Sequence, residues 1–137
     1  MTTFQEDSFE PRIIAFCCAN SAYKAADVAG MMRCSYPHNV DIVRVPCSGK
    51  VDIQYILKAF EEGAHGVLVL ACYEDGCKYL TGNIRAQKRV AYAKQLLEEI
   101  GIQGERVRME YMTSTMGTEF AHIAREMTEN IRSLGPI

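Results

Sequence analysis

Gly66-Val67-Leu68-Val69-Leu70-Ala71-Cys72 decides how the chain is read. The run holds no polar side chain until its final thiol, and a glycine opens it. Short, continuously apolar runs bounded by turn residues are buried strands. A strand dry on both faces belongs in the middle of a parallel sheet, where helices cover each side. Two earlier runs have the same character. Arg12-Ile-Ile-Ala-Phe-Cys-Cys18 reads as a strand over Ile13 to Phe16. Val40-Asp-Ile-Val-Arg-Val-Pro-Cys47 reads as a strand over Val40 to Val45, stopped by Pro46.

Between the runs the period changes to that of a helix. Ala25, Val28, Ala29 and Met32 form one stripe within Ser21 to Arg33, ended by Pro37. Ile53, Ile56, Leu57 and Phe60 form a second behind Asp52 as cap, with Gly63 at its end. Ala86, Val90, Ala93, Leu97 and Ile100 mark a third over Asn83 to Ile100, terminated by Gly101. Arg106 to Met112 alternates Val107, Met109 and Tyr111 with Arg108 and Glu110, the pattern of an edge strand with one wet face. A last helix spans Met116 to Leu134.

The order β-α-β-α-β-α-β-α requires parallel strands with right-handed crossovers. The expected fold is therefore α/β: a small doubly wound parallel sheet of four strands, Rossmann- or flavodoxin-like. Residues 1–10 read as an N-terminal arm and 11–137 as one domain.

In such sheets ligands bind beyond the carboxyl ends of the strands, where the strand order reverses. Cys18, Cys47 and Cys72 are all expected at that edge, and Cys77 lies in the loop after the third strand. A single cysteine is usually a small buried hydrophobe, which is the reading given to Cys17 and Cys34. Four thiols converging on one edge are ligands for a [2Fe–2S] or [4Fe–4S] cluster or for structural zinc. The spacing carries neither paired CxxC knuckles nor a CxxCxxC run. Lys50, Lys78 and Arg85 sit near the cysteine loops and offer positive charge to an anionic centre. Gly49, Gly76 and Gly82 permit close backbone approach. Helix starts after Cys18, Cys47 and Cys77 would turn N–H groups toward it.

Other chemistries find little support. No G-x-G-x-x-G follows the first strand and no Walker A is present. His38, His65 and His122 are not expected to converge, and Lys88-Arg89 and Glu98-Glu99 read as the wet side of the long helix. The net charge of −2 offers no basic face for nucleic acid. No apolar run approaches the roughly 18 to 20 residues that span a bilayer. The acidic, polar start, Met-Thr-Thr-Phe-Gln-Glu-Asp, does not read as a secretory signal. Six cysteines in that context point to a reducing, cytoplasmic compartment and to metal or redox use rather than disulfides.

The motifs resemble a known family. Phe16-Cys-Cys-Ala-Asn-Ser-Ala-Tyr-Lys-Ala-Ala-Asp-Val-Ala-Gly30, Arg44-Val-Pro-Cys-Ser-Gly-Lys-Val-Asp52, Ala59-Phe-Glu-Glu-Gly-Ala-His-Gly-Val-Leu-Val69 and Cys72-Tyr-Glu-Asp-Gly-Cys-Lys-Tyr-Leu-Thr-Gly-Asn83 are similar to the methyl-viologen-reducing hydrogenase delta-subunit family (MvhD/FlpD). The likeness runs from about Arg12 to Phe120. It implies a non-catalytic electron-transfer subunit with one [2Fe–2S] cluster, held by Cys18, Cys47, Cys72 and Cys77. The implied partners are a flavin-bearing, heterodisulfide-reductase-like (HdrA-type) subunit and a hydrogenase or other oxidoreductase subunit, including complexes associated with benzoyl-CoA reductase. The chain departs from the pattern at three positions. The family's first motif usually reads Cys-Asn-Trp-Cys, whereas here it is Cys18-Ala-Asn-Ser21. Tyr73 and Lys78 stand where histidines are usual. The alternatives that follow are a structural adaptor whose cluster site is degenerate at Ser21, and a zinc or thiol protein.

A lysine beside a cluster favours the reduced, more negative state. Lys78→Met is therefore expected to lower the midpoint potential in a redox titration. An unchanged potential would place Lys78 away from the centre.

Overall fold

The computed structural model describes residues 9–31, 37, 39–72 and 82–137. Its elements in order are β1 (Ile13–Cys18), α1 (Ala22–Met31), β2 (Val40–Val45), a 3-10 turn (Ser48–Lys50), α2 (Ile53–Glu61), β3 (Gly66–Ala71), α3 (Gly82–Glu99), a second 3-10 turn (Gly104–Arg106), β4 (Val107–Tyr111) and α4 (Gly117–Leu134). The strands form one parallel sheet in the order β2-β1-β3-β4. The order reverses between β1 and β3, as in flavodoxin-like sheets. The expected α/β class, the central β3 and the edge β4 are all present.

β3 is buried along its whole length, as its composition demands. Side chains alternate across the sheet, so each strand feeds two cores. On one face Ile13, Ala15, Cys17, Leu68 and Leu70 pack with the alanine stripe of α1 and with Phe120, Ala124, Met127 and Ile131 of α4. On the other, Phe16, Val67, Val69 and Val107 pack with Ile56 and Ala59 of α2 and with Ala86, Val90, Ala93 and Leu97 of α3. Each fully buried aliphatic side chain contributes roughly 1.5–3 kcal/mol. The small residues of α1 and α3 let those helices lie close to the strands.

The caps follow the sequence. Asp52 Oδ1 accepts the Ile53 N–H at 2.7 Å. Gly63 and Gly101 adopt φ of 105° and 86°, a left-handed conformation that strains other residues.

Three features differ from expectation. β1 continues two residues beyond Phe16, so Cys17 and Cys18 lie within the strand and on opposite faces. The polar face of β4 is not a free wet face. Arg108 Nη1 pairs with Glu126 of α4 at 2.6 Å, and Arg108 Nε with Glu110 at 2.8 Å. The Arg108 hydrogen bond first, and its charge next, hold the Glu126 carboxyl below its ordinary range. Arg89, read as part of the wet side of α3, donates instead to the Gly49 carbonyl. The N-terminal arm to residue 8, Cys34 and His38 lie outside the described residues. No helix among the described residues is long and apolar enough to cross a membrane.

The amino ends of the strands are tied by Arg106, which is 1% exposed. Its guanidinium donates to Gln103 Oε1 at 2.8 Å, to the His65 carbonyl at 3.1 Å and to the Gly135 carbonyl at 2.7 Å. One side chain thus joins the start of β3, the turn before β4 and the end of α4. His65 Nδ1 in turn accepts the Arg12 N–H at 2.9 Å. Burial, then the Arg106 and Arg12 charges, lower the His65 pKa, as befits a ring nitrogen used as an acceptor.

Arg106→Met keeps the aliphatic bulk and removes every donor, leaving the His65 and Gly135 carbonyls without that partner. Stability is expected to fall by about 2–4 kcal/mol in urea denaturation. A loss below about 0.5 kcal/mol would mean that water replaces the guanidinium at little cost.

Candidate metal centre

The parallel pairing decides where the thiols lie. β1 is registered with Cys18 opposite Val45 of β2 and with Cys17 opposite Leu70 of β3. Cys18 therefore ends β1, Cys47 follows β2 after Pro46, and Cys72 follows β3, all at one edge of the sheet. They form a contact cluster of their own, with Cys18 1%, Cys47 3% and Cys72 5% exposed. Cys18 and Cys72 flank the reversal in strand order. The fourth expected ligand, Cys77, lies outside the described residues, as do Gly76 and Lys78.

Local structure explains each placement. Pro46 ends β2, and the chain enters the 3-10 turn with Cys47 as its N-cap in extended conformation. The Gly49 N–H donates to Cys47 Sγ at 3.4 Å, and Lys50 N–H donates to the Cys47 carbonyl at 2.9 Å. After β1, the Ala19 N–H donates to the Val45 carbonyl at 2.8 Å and the Ser21 N–H to the Cys18 carbonyl at 3.2 Å. These bonds fold the first loop into a tight turn ahead of α1. Cys72 is fixed from α3, where Asn83 Nδ2 donates to its carbonyl at 2.9 Å.

The turn after Cys47 and the start of α3 meet at very close range. A Cβ on Gly49 would lie 2.8 Å from Gly82 Cα, 3.1 Å from the Gly82 carbonyl oxygen and 3.1 Å from Arg85 Nη2. Only glycine fits there, because the turn packs directly on the backbone of α3. Arg89 adds its bond to the Gly49 carbonyl. Two cations of α3, Arg85 and Arg89, thus stand at the turn that carries Cys47. Lys50 ends that turn with its side chain exposed.

Cys17 is not part of this group. It points into the α1/α4 core, where its thiol faces the Ala15 carbonyl at 3.7 Å. Burial first, and the Cys18 charge second, push its pKa to about 12. It behaves as the small hydrophobe the sequence suggested. His65 and His122 do not approach the cysteines: one precedes β3 at the opposite edge and the other pairs with Glu126 on α4.

The donor set suits a thiolate-bound metal group. None of the four described cysteines is spent in a disulfide. The Gly49 N–H reaches Cys47 Sγ, Arg85 and Arg89 stand at the same turn, and the three cysteines are nearly fully buried. Among the described residues no three His, Cys, Asp or Glu side chains are set to clasp one ion. Sequence reasoning overlooked Ser48, Asn83 and Arg89. Ser48 and Asn83 are wholly buried polar residues beside the thiols. Their signal was position alone, one directly after Cys47 and the other at the start of α3.

Residues 13–135 match the family described as methyl-viologen-reducing hydrogenase, delta subunit. The chain belongs to this family. It is 48% identical over 127 residues to the vhu iron–sulfur subunit of the F420-non-reducing hydrogenase of Methanocaldococcus jannaschii, covering 93% of this chain and 95% of the relative. It is 43% identical over 130 residues to the iron–sulfur subunit of the F420-non-reducing hydrogenase of Archaeoglobus profundus, covering 95% of each. A third relative has a different architecture. It is a subunit of the ferredoxin/F420H2-dependent CoB-CoM heterodisulfide reductase of Methanosarcina acetivorans, 37% identical over 127 residues, 93% of this chain but 16% of that protein. The domain therefore also occurs as a small part of a much larger polypeptide.

Gly49→Ala would drive a methyl group into the backbone of α3. The expected result is a loss of roughly 1–3 kcal/mol in chemical denaturation, together with lower metal content as the Cys47 turn separates from Cys72. Wild-type stability and metal content would show that the turn and helix part without consequence.

Proposed function

We propose that the chain is an electron-transfer subunit carrying one [2Fe–2S] cluster on Cys18, Cys47, Cys72 and Cys77. It would relay electrons in the cytoplasm between a flavin-bearing, heterodisulfide-reductase-like subunit and another oxidoreductase subunit. The observation that carries this reading is the convergence of three thiols from three separate βα units at the switch edge of the sheet. The relatives' names supply the class of cofactor. The heterodisulfide reductase polypeptide that contains this same domain supplies the class of neighbour.

The bound cluster would supply one-electron chemistry; everything else falls to the protein. Cys18, Cys47 and Cys72 present sulfur from rigid strand ends, which limits reorganisation when charge arrives. The Gly49 N–H holds Cys47 Sγ, and Asn83 holds the backbone at Cys72. Arg85 and Arg89 offset the negative charge of the thiolates, and near-complete burial keeps water off the sulfurs.

Purification under strict anaerobic conditions, followed by iron, acid-labile sulfide and zinc analysis, tests the proposal. About two irons and two sulfides per chain are expected, with an EPR signal on reduction. Cys18→Ala, Cys47→Ala and Cys72→Ala should each lower the iron content severely. Zinc without sulfide would replace the reading with a zinc protein, and a metal-free chain would replace it with a structural adaptor.

A further inference from the structure

Polar side chains buried without a hydrogen-bond partner are scarce in folded proteins, because each costs about 1–3 kcal/mol. Among the described residues three such atoms occur: Ser21 Oγ, Ser48 Oγ and Asn83 Oδ1. They are not scattered through the molecule. Ser21 closes the turn that begins at Cys18, Ser48 follows Cys47, and Asn83 holds the Cys72 carbonyl. Each cysteine of the cluster has one of these residues beside it. The exposures are 3% for Ser21 and 0% for Ser48 and Asn83, so bulk water does not satisfy them.

The chemistry of the three is not the same. A serine hydroxyl carries a proton to donate, whereas Asn83 Oδ1 is an acceptor. The Asn83 amide already spends one donor on the Cys72 backbone, so its part is to position that cysteine. The two hydroxyls lack an acceptor, and the groups that would gain most from them are anionic sulfurs. Thiolates and the sulfides of an iron–sulfur cluster are such acceptors, and hydrogen bonds to them tune reduction potential.

We infer that the Ser21 and Ser48 hydroxyls donate hydrogen bonds to the sulfurs of the bound cluster and raise its reduction potential. The inference rests on the iron–sulfur reading above. Reduction adds one electron, and the added negative charge spreads onto sulfur. A donor aimed at sulfur therefore stabilises the reduced state more than the oxidised one. Ser21 and Ser48 come from the loops after β1 and β2, so the two donors would act independently.

The test uses the full chain, purified anaerobically, as Ser21→Ala, Ser48→Ala, the double alanine variant, Ser21→Thr and Ser48→Thr. Iron and sulfide are measured first, and the midpoint potential follows by redox titration monitored in the visible spectrum and by EPR. Each alanine variant should shift the potential downward, and the double variant should shift it further than either. The threonine variants, which keep the hydroxyl, should stay near wild type. Alanine variants with full cluster content and wild-type potential would overturn the inference, as would threonine variants shifted as far as alanine. If the alanine variants fail to load, a loaded threonine variant at wild-type potential supports the donor role. Loss of loading in both substitutions at a position overturns it there, because side-chain volume rather than the hydroxyl then governs. A wild-type chain without iron and sulfide overturns the cluster reading itself, an outcome separate from loaded protein with unshifted potentials.

Discussion

The site depends on β1 lying parallel between β2 and β3. This pairing makes three strands finish at the same edge. Were either neighbour antiparallel, its cysteine would sit at the opposite end of the sheet, a whole strand length away. The pairing is enforced by burial. β3 is dry on both sides, and β1 nearly so, and only a parallel sheet covered by two helical layers satisfies such strands. The crossovers then place α1 and α4 on one face and α2 and α3 on the other. The loops between strand and helix have one edge on which to gather.

Cys17 and Cys18 show what a change of face does within one strand. Cys17 enters a core of alanine, leucine, methionine and phenylalanine, with only a distant carbonyl near its sulfur, and burial pushes its pKa to about 12. Such a thiol stays protonated and inert. Cys18, one residue on, joins two other cysteines at an edge where the Gly49 N–H meets Cys47 Sγ and two arginines of α3 stand at the Cys47 turn. The difference between a packing residue and a ligand-competent one is therefore set by strand alternation, not by the residue type.

Much of this was legible in the amino acids. β2 and β3 have the bounds read from Pro46, Gly66 and the unbroken valine–leucine run, because proline and glycine mark ends sharply. The convergence of Cys18, Cys47 and Cys72 followed from topology alone. What escaped were relations between elements distant in sequence. Arg89 looks like solvent-facing charge when α3 is considered by itself, yet its partner is a backbone carbonyl forty positions earlier. Arg108 looks like the wet face of an edge strand until Glu126 of α4 covers it. Ser48 and Asn83 carry no periodic signal, since their burial arises from the close meeting of the Cys47 turn with the start of α3.

That close meeting has a consequence for folding. The cysteine loops belong to successive βα units, and in the unfolded chain they are held together by nothing but chance encounter. A prosthetic group gripped by Cys18, Cys47 and Cys72 would act as a clip across those units and remove loop-closure entropy, much as a cross-link does. Assembly of the holo-protein would then be a folding event as well as a binding one. The apo-chain would begin to loosen where Gly49 touches Gly82, while the Arg106 tie at the far edge held the strand starts in place.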